Sequence, residues 1–64
     1  MPAIVIHVNT DHYRNRPAAA RQAVAQALRE LANQMEPGEY VGHFEATVTV
    51  DNERRTIYGD VDER

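Results

Sequence analysis

The 64-residue sequence contains no cysteine, serine, lysine or tryptophan. Without cysteine no disulfide can staple the fold, and no thiolate-based zinc site can stand in for one. The missing serine and cysteine remove the two commonest nucleophiles of covalent catalysis. Aromatic residues make up only 6%, one phenylalanine and three tyrosines. That leaves little material for a base-stacking platform. No apolar run approaches the roughly 18–20 residues that a membrane-spanning helix requires. No basic segment followed by an apolar stretch opens the sequence, so a secretory signal is not read and a cytoplasmic location is expected. A chain this short forms one domain, residues 1–64. Below about 70–80 residues a single core leaves little margin, so idealised packing or self-association is expected to supply the rest, and a homodimer is expected.

Every basic side chain is an arginine, and the formal net charge is −3. The charge is uneven. Residues 1–35 hold four Arg against Asp11 and Glu30, whereas residues 36–64 hold eight acids against Arg54, Arg55 and Arg64. An overall acidic balance opposes direct binding to a nucleic-acid backbone, where several phosphates must be neutralised. It suits solubility, or a partner with a basic surface.

What is present is clearly patterned. Residues 3–9 alternate at Ile4, Ile6 and Val8 over a β-branched run and predict a strand. Residues 10–16 form a polar loop, with Asp11 or Asn15 as candidate caps ahead of Pro17, a residue suited to the first helical turn. The spacing predicts a helix from Arg16 or Pro17 to Met35, stopped by Pro37-Gly38. Its apolar seam is read as Ala20, Val24, Ala27, Leu28, Leu31 and Met35, flanked by small alanines at 19, 23, 25 and 32. A second strand is expected over 40–50, where Phe44, Ala46, Val48 and Val50 alternate with His43, Glu45, Thr47 and Thr49. Gly42 near its start marks a bulge or a close backbone contact. Asp51-Asn52-Glu53 reads as a turn, and 54–61 as a third strand with Ile57 and Val61 inward and Arg54, Thr56, Tyr58 and Asp60 outward. Residues 62–64 are expected to fray.

The order β-α-β-β implies an α+β fold, a three-stranded sheet with one amphipathic helix packed on one face and a β2-β3 hairpin. Strand order stays open: the third strand between the other two gives an antiparallel sheet, and the first beside the second gives a parallel pair. One helix covers one face only. The other face would present Val5, His7, His43, Glu45, Thr47, Thr49 and Tyr58, and is the expected surface for a dimer or a partner.

No Cys/His cluster with metal-ligand spacing occurs, and no cofactor or metal is expected. Two segments carry the candidate partner-binding residues. The loop supplies Tyr13, Arg14 and Arg16 just before a helix N-terminus, where aromatic and guanidinium groups serve as interface anchors. The outer sheet face and acidic hairpin supply Glu45, Tyr58 and Asp60. A small, acidic, cysteine-free domain of this kind fits a non-enzymatic protein-binding module. Such chains are frequent among phage and mobile-element inhibitors, anti-CRISPR-like and anti-restriction proteins included, which occlude a partner's basic nucleic-acid-binding surface.

Two alternatives accompany that reading. Met1-Pro2 exposes a secondary amine once the initiator methionine is removed, and a β-strand and an amphipathic helix follow. In length, start and β-α order, residues 2–35 resemble the 4-oxalocrotonate tautomerase family. The resemblance implies Pro2 as catalytic base and Arg14 or Arg16 as carboxylate binder. Unlike that family, residues 40–50 hold no arginine, and the hairpin turn is Asp-Asn-Glu rather than glycine-rich. The other alternative is a weak nucleic-acid binder using the four arginines of the first half.

Overall fold

A computed structural model describes residues 3–35 and 42–64. Strand β1 (Ile4–Val8) leads through a 3-10 turn at Asp11–Tyr13 into helix α1 (Pro17–Met35). Strands β2 (His43–Val50) and β3 (Glu53–Glu63) complete an α+β fold in β-α-β-β order. The sheet is antiparallel throughout, in the order β1-β3-β2. Pro2, Pro37-Gly38 and Tyr40 lie outside the described residues.

The hairpin follows from local chemistry. Val50 pairs with Glu53, leaving a two-residue turn in which Asp51 and Asn52 both take positive φ, 53° and 65°. Two left-handed residues give the turn whose twist matches that of the flanking strands, and Asp and Asn adopt this conformation most readily after glycine. Residues 62–64 do not fray. Strand β3 runs on to Glu63, and Ala3 and Arg64 exchange both of their backbone hydrogen bonds. At the other end, Val61 N–H donates to the Gly42 carbonyl at 2.8 Å, the close backbone contact expected at that glycine.

The helix explains why β1 joins β3 and not β2. Helix α1 lies against β2, and three of its polar side chains occupy that strand's outer edge. The Gln26 amide both donates to the Thr49 carbonyl (2.7 Å) and accepts from Thr49 N–H (2.8 Å). Glu30 accepts from Thr47 N–H, and Gln34 donates to the Glu45 carbonyl, each at 3.2 Å. Residues four apart on a helix advance about 6 Å, close to the roughly 6.8 Å of two strand residues. Gln26, Glu30 and Gln34 therefore serve β2 as a fourth strand would.

These bonds also fix the helix rotation, and they correct the expected seam. The buried residues are Ala19, Ala23, Ala27 and Leu31, with Ala20 and Met35 packed at the margin. Val24 is half-buried and Leu28 is 41% exposed. Weighting by hydrophobicity pulls a predicted seam toward Val24 and Leu28. Anchoring Gln26 and Glu30 at the β2 edge turns the alanine row to the sheet instead, where small side chains let helix and sheet approach closely. The rest of the core is Phe44, Ala46, Val48, Val50, Ile57 and Val61 from the sheet, and Tyr13. No helix among the described residues is long and apolar enough to cross a membrane.

Candidate partner-binding face

The register sorts side chains onto two faces, because residues opposite one another in a sheet point the same way. The helix side carries Phe44, Ala46, Val48 and Val50 of β2, Ile57, Gly59 and Val61 of β3, and Ile4, Ile6 and Val8 of β1. The open side carries three cross-strand rows of interest. His7, Asp60 and His43 form one, Tyr58 and Glu45 the next, and Thr56 and Thr47 the third.

The rows surround a shallow depression of about 450 Å³, lined on this side by His7, His43, Tyr58 and Asp60. Tyr58 is 59% exposed. Asp60 Oδ1 lies 2.5 Å from His43 Nδ1. Glu45 and Asp60 place carboxylates on two sides of the tyrosine, whereas Arg54 and Arg64 lie toward opposite ends of β3. The centre of the face is thus acidic with an aromatic in its midst. Among the described residues, no group of three His, Asp or Glu side chains converges so as to hold a metal ion.

The sequence-predicted partner residues divide. Glu45, Tyr58 and Asp60 come together on the open face. Arg14 and Arg16 lie elsewhere, in the loop ahead of α1: Arg14 N–H donates to the Asp11 carbonyl, Arg16 pairs with Asp51 of the hairpin turn, and His12 Nε2 lies 3.1 Å from Glu53. Tyr13 is not a surface anchor. It is 1% exposed, one of the three largest fully buried side chains, and the 3-10 turn folds it under the start of α1. An apolar ring close to the helix gains more from burial than from solvent, a choice that a polar-looking loop conceals. The Arg16 guanidinium carbon sits 5.9 Å from the centre of the Tyr13 ring and His12 meets it edge-on. The Tyr13 hydroxyl is buried with no hydrogen-bond partner among the described residues.

The expected caps are also replaced. Asn9 Oδ1 accepts from Asp11 N–H at 3.0 Å and so shapes the loop, while Arg16, whose carbonyl accepts from Ala20 N–H, precedes the first helical residue. Near the turn, hydrogen bonds from Arg55 first and His12 second hold the Glu53 carboxyl below the usual carboxylate range.

Strand alternation puts His7 and His43 on one face but does not align them. What it lacks is the register, since Asp60 faces both histidines only if β3 is central. Pro2, on which the tautomerase resemblance turns, lies outside the described residues. No protein-family model matches the chain, and no similar curated protein or solved structure is found.

Proposed function

We propose that this chain is a non-enzymatic, cytoplasmic protein-binding module that docks a basic segment of a partner on its open sheet face. The observation that carries the reading is the exposed Tyr58, in register with Glu45 and two residues from Asp60 on an uncovered sheet. An aromatic ring offers a large contact area at low entropy cost, and its face attracts guanidinium groups. Carboxylates on either side accept bidentate hydrogen bonds from the same groups. A partner whose arginines line a nucleic-acid channel finds here the acceptors that phosphates supply, and the module acts by occluding that channel. Three of the seven arginines, Arg16, Arg55 and Arg64, each lie beside a carboxylate, which makes them less available to phosphates.

The test is a titration of isotopically labelled chain with a synthetic arginine-rich peptide and, separately, with an oligonucleotide. The peptide is expected to give saturable shifts at His43, Glu45, Tyr58 and Asp60, and Tyr58→Ala to weaken binding about tenfold or more, the loss of one hot-spot aromatic. Shifts confined to the Arg14–Arg16 loop, or saturation by the oligonucleotide alone, would overturn the reading.

A further inference from the structure

We infer that the outer edge of β1 pairs with β1 of a second copy of the chain, joining two sheets into one of six strands. The sheet has two edges, and they are treated differently. The β2 edge is occupied by Gln26, Glu30 and Gln34. The β1 edge has no such cover from the helix, which lies over β2. Ala3 exchanges both backbone bonds with Arg64, and Asn9 N–H donates to the Tyr58 carbonyl. Residues in an antiparallel ladder alternate, so Ile4, Ile6 and Val8 turn their backbone N–H and C=O groups outward.

The side chains at this edge are also uncovered. Ile4 is 58% exposed and Ile6 41%, both on the helix side of the sheet. Leu28, two residues from Gln26 and from Glu30, lies on the opposite flank of α1, turned away from the β2 edge. Exposed edges are normally blunted by charge, proline or a bulge. Strand β1, Ile-Val-Ile-His-Val, carries none of the first two and pairs with β3 residue for residue.

A second copy fits this edge through charge and register together. The chain carries a formal net charge of −3, so two copies repel over most of their surface, and β1 is a strip without formal charge. Antiparallel pairing about a two-fold axis sets Ile6 opposite Ile6 of the partner subunit, Ile4 opposite Val8 of the partner subunit, and Val5 opposite His7 of the partner subunit. All five strand residues are matched, no like charges oppose, and each outward backbone group gains a partner. The axis stands perpendicular to the sheet, so both helices fall on one side and the two open faces merge. The dimer would present two Tyr58 sites on one continuous surface. The pairing does not depend on what those sites bind.

The test uses the full chain alone, followed by sedimentation and amide hydrogen exchange from about 1 µM to about 1 mM. The mass is expected to rise from 7.3 kDa toward twice that value. Exchange at the Ile4, Ile6 and Val8 amides is expected to slow about tenfold or more over the same range. Ile6→Lys, which opposes two ammonium groups at the axis, is expected to stay at 7.3 kDa with an unchanged circular dichroism spectrum, while Thr56→Lys on the open face assembles as the parent does. A monomeric mass throughout would overturn the inference, as would a dimer in which the three amides exchange unchanged. If Ile6→Lys does not fold, the exchange profile of the unaltered chain decides by itself. Protection of those amides by an added extended peptide in a chain that stays monomeric would identify a foreign strand as the occupant and also overturn it.

Discussion

The ring of Phe44 lies across Gly59, its cross-strand partner on the helix side of the sheet. A methyl group at Gly59 would stand 2.5 Å from ring carbons Cε1 and Cζ and closer still to the carbonyl oxygen of His7. The ring can give way, but the backbone of β1 cannot do so without opening its ladder to β3. Gly59→Ala is therefore expected to destabilise the chain by about 1–3 kcal/mol, the usual range for overpacking. Urea unfolding measures it. Combining Gly59→Ala with Phe44→Leu should recover only part of the loss, since the clash with His7 remains. Full additivity of the two changes would show that the ring is not what the methyl meets.

The Gln26 side chain makes two hydrogen bonds to Thr49, in the manner of a paired strand residue. Exposed bonds of this kind each contribute about 0.5–1.5 kcal/mol net. Gln26→Ala is expected to lower stability by about 1 kcal/mol and to speed amide exchange at Thr49. Replacing Gln26, Glu30 and Gln34 together would bare the β2 edge. That triple variant is expected to aggregate as its concentration rises, the known hazard of an unprotected strand, and light scattering would follow it.

Glu53 sits where the hairpin, the loop and Arg55 meet, and its carboxyl is held below the usual range by Arg55 and then His12. A group whose folded value is lowered stabilises the fold above its unfolded value and ceases to as the pH falls through the folded one. The difference in Tm between the chain and Glu53→Gln is therefore expected to be present near neutral pH and to vanish once the pH falls below the folded value. Because the carboxyl is solvent-exposed, high salt should shrink the difference at neutral pH. A difference that grows on acidification would contradict the assignment.

The turn offers a stabilising change. Asn52 has φ of 65°, a conformation in which glycine is unstrained. Asp-Gly is among the preferred pairs for such a two-residue hairpin turn. Asn52→Gly is expected to raise stability by a few tenths of a kcal/mol, from relief of left-handed strain less the added freedom of the unfolded chain. Asp51→Ala is expected to lower it by about 1 kcal/mol, and more if the Arg16 pair contributes. Thermal melts of the two variants would move in opposite directions.

Much of the fold was legible because its signals are local. Alternation from Phe44 to Val50, Pro17 at the helix start and Asp51-Asn52 at the turn each act within a few residues. The open face was legible too, since alternation assigns Glu45 and Tyr58 to the side the helix does not cover. What could not be read depends on contacts distant in sequence. The central place of β3, and with it the His7–Asp60–His43 row, is decided when Gln26, Glu30 and Gln34 claim the β2 edge. Tyr13 looks like a contact residue until the loop is folded beneath α1. In each case polar or aromatic side chains exchanged solvent for a place against another element of the fold, and composition does not record that choice.

The helix seam is where sequence and structure disagree most sharply, and a pair of substitutions separates them. Ala27 is fully buried between α1 and the sheet, whereas Ala25 is exposed. Both are alanines in the middle of one helix, so Ala→Leu changes helix propensity about equally at each. Ala27→Leu must force three extra carbons into a filled interface, or push the helix off β2 and break the Gln26 and Glu30 bonds. A loss of about 1–3 kcal/mol is expected. Ala25→Leu meets only solvent and is expected to stay within about 0.5 kcal/mol of the parent. Had the helix been turned by its larger side chains, toward Val24 and Leu28, Ala27 would stand at the edge of the seam and tolerate leucine. Equal stability of the two variants in urea would therefore restore that rotation, and a large gap between them would fix the alanine row against the sheet.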